Sequence, residues 1–295
     1  LAYISSALKF LNDNGKDGKT FWNESDIYHF IGKDIVYHHY LFLPAMRLGI
    51  EEEYKLPDYI PTRGHLTLQA KKISKSRNWY IGLKDFLEIF PTDYLRFYLI
   101  SINPYSQDDL NFDWDEFAIK INSELIGNFG NLINRALGFT VKAFDGVVPG
   151  PEEFDEMDKE AEKKIKDFVL EIGTLMEQNH LDRALKKILQ LSAHFNQYFQ
   201  HKEPWKKGPG TNSCVYLSVN AVRSLAVAIY PFLPKSSQKI WVQLGMDGDV
   251  STQRFDEISN IIIKQGHSIG KVSPVFDKVE ESVIEEQKKK LETDI

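Results

Sequence analysis

Residues 26–34 read Asp-Ile-Tyr-His-Phe-Ile-Gly-Lys-Asp, and this stretch decides the fold of the first part of the chain. Its apolar and aromatic residues are typical of a strand that ends at Gly32. Residues 35–48 follow with the apolar spacing of a helix. A strand that runs directly into a helix predicts a βα corner. Because ligands of open parallel sheets bind beyond the carboxyl ends of the strands, we expect a nucleotide at residues 32–34.

Two roles are open for Asp34 at this corner. Its carboxylate can accept hydrogen bonds from the vicinal hydroxyls of a ribose. Aspartate is also favoured at the start of a helix, where it caps backbone N–H groups and meets the positive end of the helix dipole. The position of Asp34 does not distinguish the two roles, which are compatible with each other.

A second informative string, Lys-Ile-Ser-Lys-Ser, occupies residues 72–76. Two lysines and two hydroxyls on a mobile loop can follow the negative charge that develops on phosphate oxygens, since an ammonium group is a compact charge with three donors. Residues 65–68 together with residues 72–73 predict a hairpin that leads into this loop. A solvent-exposed turn would have a similar composition. A triphosphate clamp and a plain turn are therefore both open.

From residue 92 onwards the pattern is helical. Thr92 or Asp93 can cap a helix that runs to about residue 103. Asp113 or Asp115 can cap a longer helix that reaches residue 137 and ends at Gly138. An acidic helix after the break at residues 149–151 is followed by predicted helices over residues 181–201, 213–230 and 235–244. Short connections and apolar stripes predict an antiparallel bundle.

Within this bundle, Asn131 and Arg135 are four residues apart and should project from one helical face. An amide and a guanidinium group at that spacing can hydrogen-bond the edges of splayed bases. Arg135 could instead form a salt bridge with a neighbouring helix. Trp205 follows a proline among lysines, a setting that suits stacking on an unpaired base. It could equally pack on the adjacent helix and close the loop.

The composition limits the classes of protein that fit. The chain has 295 residues, 42% hydrophobic and 26% charged, which allows roughly two domains. No signal-peptide pattern or apolar run of membrane-spanning length is evident, so we expect a cytoplasmic protein without a membrane partner. The single cysteine excludes an internal disulfide and a cysteine-cluster zinc site. The net charge of −6 leaves room for local basic patches near the lysine loop and Trp205.

The motifs together resemble the methionyl-tRNA synthetase family of class I aminoacyl-tRNA synthetases. The resemblance rests on residues 28–37, 66–76, 93–99, 127–135, 203–205 and 266–270. It implies an α/β part and an all-α part: the second part of a Rossmann-type catalytic domain, then the hairpin with its KMSKS-type loop, then an α-helical anticodon-binding bundle. The expected segments are residues 1–56, 57–110, 111–250 and 251–295, the last being a tail that packs back with a final helix.

The resemblance assigns the site residues in three groups. ATP would be bound by Gly32, Asp34, Leu66, Lys72, Ser74, Lys75 and Ser76, with Lys75 and then Lys72 most important in catalysis. The methionine pocket would be bordered by Tyr3, Ile35 and His39, and the CAU anticodon read by Asn131, Arg135 and Trp205. The implied reaction activates methionine with ATP and Mg²⁺ to methionyl-adenylate, then transfers methionine to tRNA(Met).

The family's His-x-Gly-His motif is absent from the sequence, and His38-His39 does not replace it. We therefore expect the C-terminal part of a longer enzyme that lacks the N-terminal half of its catalytic domain. By itself this part should be inactive, and the other half would be a partner. A zinc site, if the enzyme has one, would lie in that half.

The lysine loop departs from the family's pattern at three positions. Ile73 replaces the usual methionine and keeps an apolar anchor, while Ala70 and Asn78 stand where glycine is common. Asparagine tolerates a positive φ better than most residues, so Asn78 can still bend the chain, whereas Ala70 is the least comfortable change.

Two other functions remain open from the sequence. Leucine, isoleucine, valine and cysteine enzymes of class I share the lysine loop and the helical bundle. A non-catalytic tRNA-binding module that kept the bundle is the alternative from a different class.

Overall fold

The computed structural model describes residues 2–50 and 53–292. Residues 1, 51, 52 and 293–295, which fall in the first and last predicted segments, lie outside the described residues. The chain divides into two compact units. The first contains residues up to Thr67 together with Tyr105–Leu110, and the second contains Leu68–Pro104 and the remainder. The division falls inside the predicted segment 57–110, and the four-segment division itself stays a prediction.

The first unit begins with two helices, α1 (Ala2–Asp13) and α2 (Gly18–Glu24). Asp17 caps α2, since its carboxylate accepts hydrogen bonds from the backbone N–H groups of Lys19 and Thr20. A short parallel pair follows, in which β1 (Ile31–Gly32) lies beside β2 (Thr62–Arg63).

The predicted strand over residues 26–32 is only partly right. Regular pairing is confined to β1, with Ile31 opposite Thr62 and Gly32 opposite Arg63. Earlier in the stretch, the backbone N–H of Ile27 donates to the side chain of Asp58 instead of a strand partner. The expected parallel pairing is nevertheless present.

The helix predicted over residues 35–48 is confirmed in outline but changes its winding. A 3₁₀ turn (Lys33–Ile35) leads into a π turn (His38–Phe42) and then into α3 (Leu43–Leu48). Pro44 lies at the start of α3 and has no N–H to donate, so the chain can leave the wider turn there without losing a further hydrogen bond.

The hairpin expected before the lysine loop is present. β3 (Leu66–Leu68) turns through Gln69 and Ala70 into β4 (Lys71–Lys72), and β3 also pairs with β5 (Leu110–Phe112). Gln69 and Ala70 have φ angles of 48° and 59°. Ala70 therefore occupies a left-handed conformation that favours glycine, as its position in the motif suggested.

Helices make up most of the second unit. In chain order they are α4 (Leu83–Ile89), α5 (Thr92–Ser101), α6 (Trp114–Lys120), a π-helical segment (Ile121–Gly130), α7 (Asn131–Phe144), α8 (Glu156–Glu177), α9 (Leu181–Lys202), α10 (Thr211–Ile229), α11 (Pro234–Gln243) and α12 (Glu281–Glu292). α8, α9 and α10 pack on one another, and α12 packs on α6. α10 has the length and composition of a membrane span, but 94% of its apolar window is buried in this bundle.

Two of the predicted helix ends are wrong and one is right. Asp113 caps α6, since its carboxylate accepts hydrogen bonds from the backbone N–H groups of Asp115 and Glu116. Asp93 does not cap its own helix; it is buried and accepts from the N–H and Oγ of Ser236 at the start of α11. Gly138 lies inside α7, which continues to Phe144 and ends where Asp145 adopts a φ of 52°.

Candidate functional site

Three aromatic rings meet in the first unit. Tyr3 lies against His39 with ring centroids 5.7 Å apart, and against His29 at 5.2 Å. The two histidine rings are 5.5 Å apart and perpendicular. His39 is buried, and its Nδ1 lies 3.0 Å from the carbonyl oxygen of Ile35 one turn earlier. Because a carbonyl can only accept, Nδ1 donates here and Nε2 is left as an acceptor when the ring is neutral.

Tyr3 and His39 border a largely apolar cavity of about 630 Å³. Its lining consists of Ala2, Tyr3, His38, His39, Phe42, Leu43, Ala45 and Met46. Ile35 is not among them and contributes its carbonyl to His39 instead. A cavity of this size and character suits a small apolar side chain with a polar end.

His29 is a residue that the sequence reasoning missed. Its pKa is lowered, first by burial and then by the neighbouring His39, so the neutral ring is favoured. Its Nδ1 is buried and has no hydrogen-bond partner among the described residues. The available signal was its place in the strand next to the βα corner, three residues before Gly32.

At the corner itself, the carboxylate of Asp34 folds back over Gly32. A Cβ atom placed on residue 32 would come within 2.5 Å of Asp34 Oδ1, so a larger residue there would displace this carboxylate. Asp34 lies in the first turn of the helix that follows, and among the described residues its carboxylate accepts no hydrogen bond from that helix. Its carboxylate is therefore open to donors from a ligand, and it still faces the positive end of the helix dipole. Nearby, Lys33 is paired with Asp109 at 2.7 Å, and Leu66 is partly exposed.

In the second unit, backbone hydrogen bonds join the two ends of the lysine loop, and the residues between them are exposed to solvent. Ser74 and Trp79 exchange two backbone hydrogen bonds of 2.9 Å. Between them lies a 3₁₀ turn (Lys75–Arg77), which ends at Asn78 with a φ of 49°. The expected bend at Asn78 is thus confirmed. The side-chain oxygens of Ser74 and Ser76 lie 3.2 Å apart.

Both predicted phosphate-binding lysines are exposed on this loop. Neither Lys72 nor Lys75 forms an ion pair with any residue in the described ranges. The loop is anchored from below, because the indole of Trp79 donates to the carbonyl of Leu68 at 2.9 Å and the ammonium of Lys71 lies 4.3 Å from its ring centroid. A rigid base that carries the unpaired ammonium of Lys72 on β4 and that of Lys75 on the turn can bind a polyphosphate.

The three residues predicted for base recognition lie on one surface of the bundle. The guanidinium of Arg135 is 5.9 Å from the ring centroid of Trp205 and 5.1 Å from that of Phe199. Asn131 lies one turn earlier on the same helix. Trp205 itself is 43% exposed, so a large part of its ring is free to stack on another ring.

Helix α9 orients the polar members of this surface. Asn131 Nδ2 donates to Asn196 Oδ1 at 2.8 Å. Arg135 donates to Gln200 Oε1 at 2.8 Å and to the carbonyl of Asn196 at 3.4 Å. No carboxylate among the described residues pairs with Arg135, so the alternative of an interhelical salt bridge is wrong. Asn196 and Gln200 were not anticipated, because they are distant in sequence from the motif they support.

Comparison with known families places these features in context. Residues 1–137 match the family described as tRNA synthetases class I (M), and residues 148–294 match the anticodon binding domain of methionyl tRNA ligase. The methionine–tRNA ligase of Pyrococcus horikoshii is 37% identical over 302 residues, covering 96% of this chain and 41% of its own length. The methionine–tRNA ligase of Sulfolobus acidocaldarius is 34% identical, and the match covers 98% of this chain and 52% of that relative. Over nearly its whole length the chain is therefore similar to methionyl-tRNA synthetases.

Solved structures of this family share the fold. The Mycobacterium tuberculosis methionyl-tRNA synthetase bound by methionyl-adenylate superposes with a TM-score of 0.81 at 25% identity, covering 93% of this chain and 54% of that one. Its apo form gives a TM-score of 0.79. The chain thus spans about half the length of the synthetases that it matches, and the match includes part of a class I catalytic domain and an anticodon-binding domain.

Proposed function

We propose that this chain forms part of a cytoplasmic methionine–tRNA ligase. The enzyme would activate methionine with ATP to methionyl-adenylate, release pyrophosphate, and transfer methionine to tRNA(Met). The observation that carries the proposal is the shared surface of Asn131, Arg135 and Trp205, on a chain whose relatives are methionine–tRNA ligases. This surface is specific to the bundle, whereas the lysine loop is common to class I enzymes.

On that surface, Trp205 would stack on an anticodon base while Asn131 and Arg135 hydrogen-bond base edges. Unpaired bases are recognised in this way, by stacking on aromatic rings and by donors and acceptors along the base edge. Asn196 and Gln200 would then act as positioning residues, because they hold the amide and the guanidinium through hydrogen bonds of 2.8 Å.

The lysine loop would bind the phosphates of ATP. Activation is an in-line attack of the methionine carboxylate on the α-phosphate, so catalysis depends on positioning and on stabilising charge in the transition state. Lys75, at the loop tip, would contribute most, followed by Lys72. The hydroxyls of Ser74 and Ser76 would donate to phosphate oxygens. Mg²⁺ would arrive bound to ATP and neutralise part of the phosphate charge.

In the first unit, Tyr3 and His39 would border the methionine side chain, with Ile35 fixing the ring of His39. Gly32 and Asp34 would bind the ribose of ATP, and Leu66 would lie beside the adenine. The buried ring of His39 suits an uncharged thioether, and the reaction requires no protein base at this position.

Large apolar side chains of the first unit are exposed to solvent. They include Phe30, Tyr37, Tyr40, Leu41 and Leu48, each more than half exposed. Exposed apolar surface of this kind marks an interaction site. We propose that the N-terminal half of the Rossmann-type domain covers it, which would make that polypeptide a partner of the residues described here.

Binding of tRNA by the 295-residue chain tests the assignment to methionine. Transcripts of tRNA(Met) with the CAU anticodon and with a changed anticodon are compared by filter binding. We expect tighter binding of the CAU transcript, and Arg135→Met should abolish the difference. Arg254→Met is a matched control, because Arg254 is exposed and its ion pair among the described residues is with Asp256, two positions away. Equal affinity for both transcripts would exclude anticodon reading.

The lysine loop is tested separately, in a polypeptide that contains this chain and catalyses methionine-dependent pyrophosphate exchange. Lys75→Ala should lower the rate of exchange far more than the affinity for ATP or methionine, since the contact strengthens in the transition state. A loss of ATP affinity with an unchanged rate would assign Lys75 to binding alone.

A further inference from the structure

Gly138 lies in the middle of α7, where the fold gives no reason for glycine. Glycine is less favourable than alanine inside a helix, because it loses more conformational freedom on folding. Its φ is not positive, so no left-handed conformation requires it. Packing does not require it either, since a Cβ atom at residue 138 would meet nothing within 4 Å. The space beside Gly138 is therefore open to a partner from outside the fold.

This open position lies on the outer side of α7. The inner side of the helix carries its buried residues, which are Leu132, Ile133, Ala136, Leu137 and Thr140. At roughly 100° per residue, positions 131, 135, 138 and 142 fall within about 60° of one another on the opposite side. Asn131, Arg135, Gly138 and Lys142 thus form one stripe along the helix, the α7 stripe.

The α7 stripe is positively charged. Arg135 and Lys142 are the charged residues of α7, and the helix has no carboxylate. Lys142 is exposed, and within the described ranges its ammonium group contacts no acceptor, including the carboxylate of Asp145 three positions further on. The carboxylate of Glu203, two positions before Trp205, lies 2.6 Å from the ammonium of Lys206. The stripe can therefore attract an anion.

The stripe also continues the surface to which base recognition is assigned. Asn131 and Arg135 belong to both, and the guanidinium of Arg135 lies 5.9 Å from the ring centroid of Trp205. From Arg135 to Lys142 the helix advances by about 10 Å, the length of roughly three stacked nucleotides in one strand. An RNA whose bases contact Arg135 and Trp205 can therefore carry its sugar–phosphate backbone along the remainder of the stripe.

We propose that the α7 stripe beyond Arg135 binds the sugar–phosphate backbone of this RNA. Gly138 lets the backbone approach the helix closely, as glycine does where a ligand must come near a main chain. Lys142 contacts a phosphate, for which an ammonium group is a compact positive charge. The proposal rests on the proposed function, in which the neighbouring residues read an anticodon.

A phosphate contact and a base contact have different signatures. Contacts to phosphate fix the position of the RNA and are independent of its sequence, whereas contacts to base edges discriminate between sequences. A lysine that neutralises a phosphate also releases a counterion, so it adds to the salt dependence of binding. Lys142 should therefore contribute equally to every tRNA transcript, while Arg135 discriminates between anticodons.

Filter binding at several KCl concentrations tests Lys142, with the 295-residue chain and tRNA(Met) transcripts that carry CAU or a changed anticodon. Lys142→Met should weaken binding of both transcripts by the same factor. It should also make the slope of log affinity against log salt concentration shallower by roughly 0.7 to 0.9, the loss of one phosphate contact. Lys239→Met, at an exposed position of α11, is the control and should leave the slope unchanged.

Gly138→Ala separates contact with RNA from a role in folding. Alanine favours the helix, so the midpoint of urea unfolding should rise. The added methyl group should nevertheless weaken binding of both transcripts about fivefold or more, because an atom forced into a close contact is costly. Val141→Ala is the control, since Val141 is 43% exposed on α7 but lies outside the stripe. It also favours the helix and should leave binding unchanged.

A shallower salt slope with Lys142→Met, together with weaker binding by a more stable Gly138→Ala, supports the proposal. An unchanged slope would assign Lys142 to the helix dipole alone and overturn the phosphate contact. A loss confined to the CAU transcript would make Lys142 a base-reading residue and would overturn it too. Unchanged binding by Gly138→Ala would overturn the close approach of the backbone.

The proposed function fails on a different result, which is equal affinity of the unaltered chain for the two transcripts. In that case the salt slopes of the unaltered chain and of Lys142→Met still decide whether the stripe contacts the backbone. If the unaltered chain binds neither transcript, both proposals are overturned.

Discussion

The ammonium group of Lys202 lies 2.6 Å from the carboxylate of Asp158, and both side chains are almost inaccessible to solvent. Asp155 contacts the same ammonium at 2.7 Å, and the hydroxyl of Tyr198 donates to Asp158 at 2.6 Å. Lys202 is the last residue of α9, three positions before Trp205. The pair therefore ties the end of α9 to the start of α8 and fixes the turn that presents Trp205.

Replacing Lys202 with methionine keeps the length of the side chain and removes its charge. We expect Lys202→Met to lower the free energy of unfolding by about 3–5 kcal/mol, because it leaves the buried carboxylate of Asp158 without its partner. Urea denaturation measures the loss. Lys206→Met, which breaks an exposed pair with Glu203, should cost at most about 1 kcal/mol. Equal effects of the two substitutions would contradict a buried role for Lys202.

A second prediction concerns the turn between β3 and β4. Ala70 has a φ of 59°, a conformation that costs an L-residue about 1–2 kcal/mol and costs glycine almost nothing. Ala70→Gly should therefore raise the free energy of unfolding by about 1 kcal/mol. Gly138→Ala makes the reverse exchange at a position where the fold does not need glycine. Residue 138 lies within α7, and a Cβ there meets nothing within 4 Å. A loss of stability with Ala70→Gly would show that the turn is not strained.

Histidine 29 makes stability depend on pH. Burial, and then the neighbouring His39, lower its pKa in the folded state below the usual value. The unfolded chain then binds more protons than the folded chain below a pH of about 6.5, so stability falls as the pH decreases from there and levels off below the folded pKa. Urea denaturation between pH 7 and pH 5 should show this decline, and His29→Gln should reduce it. His201→Gln, on the exposed side of α9, serves as the control. An unchanged decline in His29→Gln would assign it to other groups.

Local physics explains which parts of this fold were predictable. Asp113 caps α6, and Asn78 bends the lysine loop, because both depend on a residue's own backbone and its nearest neighbours. The role of Asp93 was not predictable from its neighbours, because it caps α11, about 140 positions further along the chain. The sequence predicts a helix end at Gly138, but packing of the flanking Leu137 in the core carries α7 past it. Tertiary contacts override local preference at such positions.

The candidate site divides in the same way. The spacing of Asn131 and Arg135 predicted that they share a face of α7, and they do. The amides of Asn196 and Gln200 that orient them come from another helix, and no local pattern indicates them. The sequence also showed no sign that donors of Trp114 and Gln287 would be buried without partners among the described residues, because α12 reaches α6 from the far end of the chain.

The last prediction concerns Trp205 and distinguishes base stacking from packing. If Trp205 stacks on an anticodon base, Trp205→Ala should remove about 1–3 kcal/mol from tRNA binding to the 295-residue chain. The loss should be large for a CAU transcript and small for one with a changed anticodon, because both changes delete the same contact. Filter binding with both proteins and both transcripts gives the four affinities of the cycle.

Phe139→Ala is the matched control for this cycle. Phe139 is an aromatic residue of α7 that packs against Phe199 at 5.7 Å, and its truncation changes packing without removing the exposed ring. Its effect on tRNA binding should be the same for both transcripts. Arg135 lies over Trp205, so Trp205→Ala must also be shown to keep the melting temperature of the unaltered chain. If the losses from Trp205→Ala and from the anticodon change simply add, Trp205 is a packing residue, and anticodon reading by this surface is wrong.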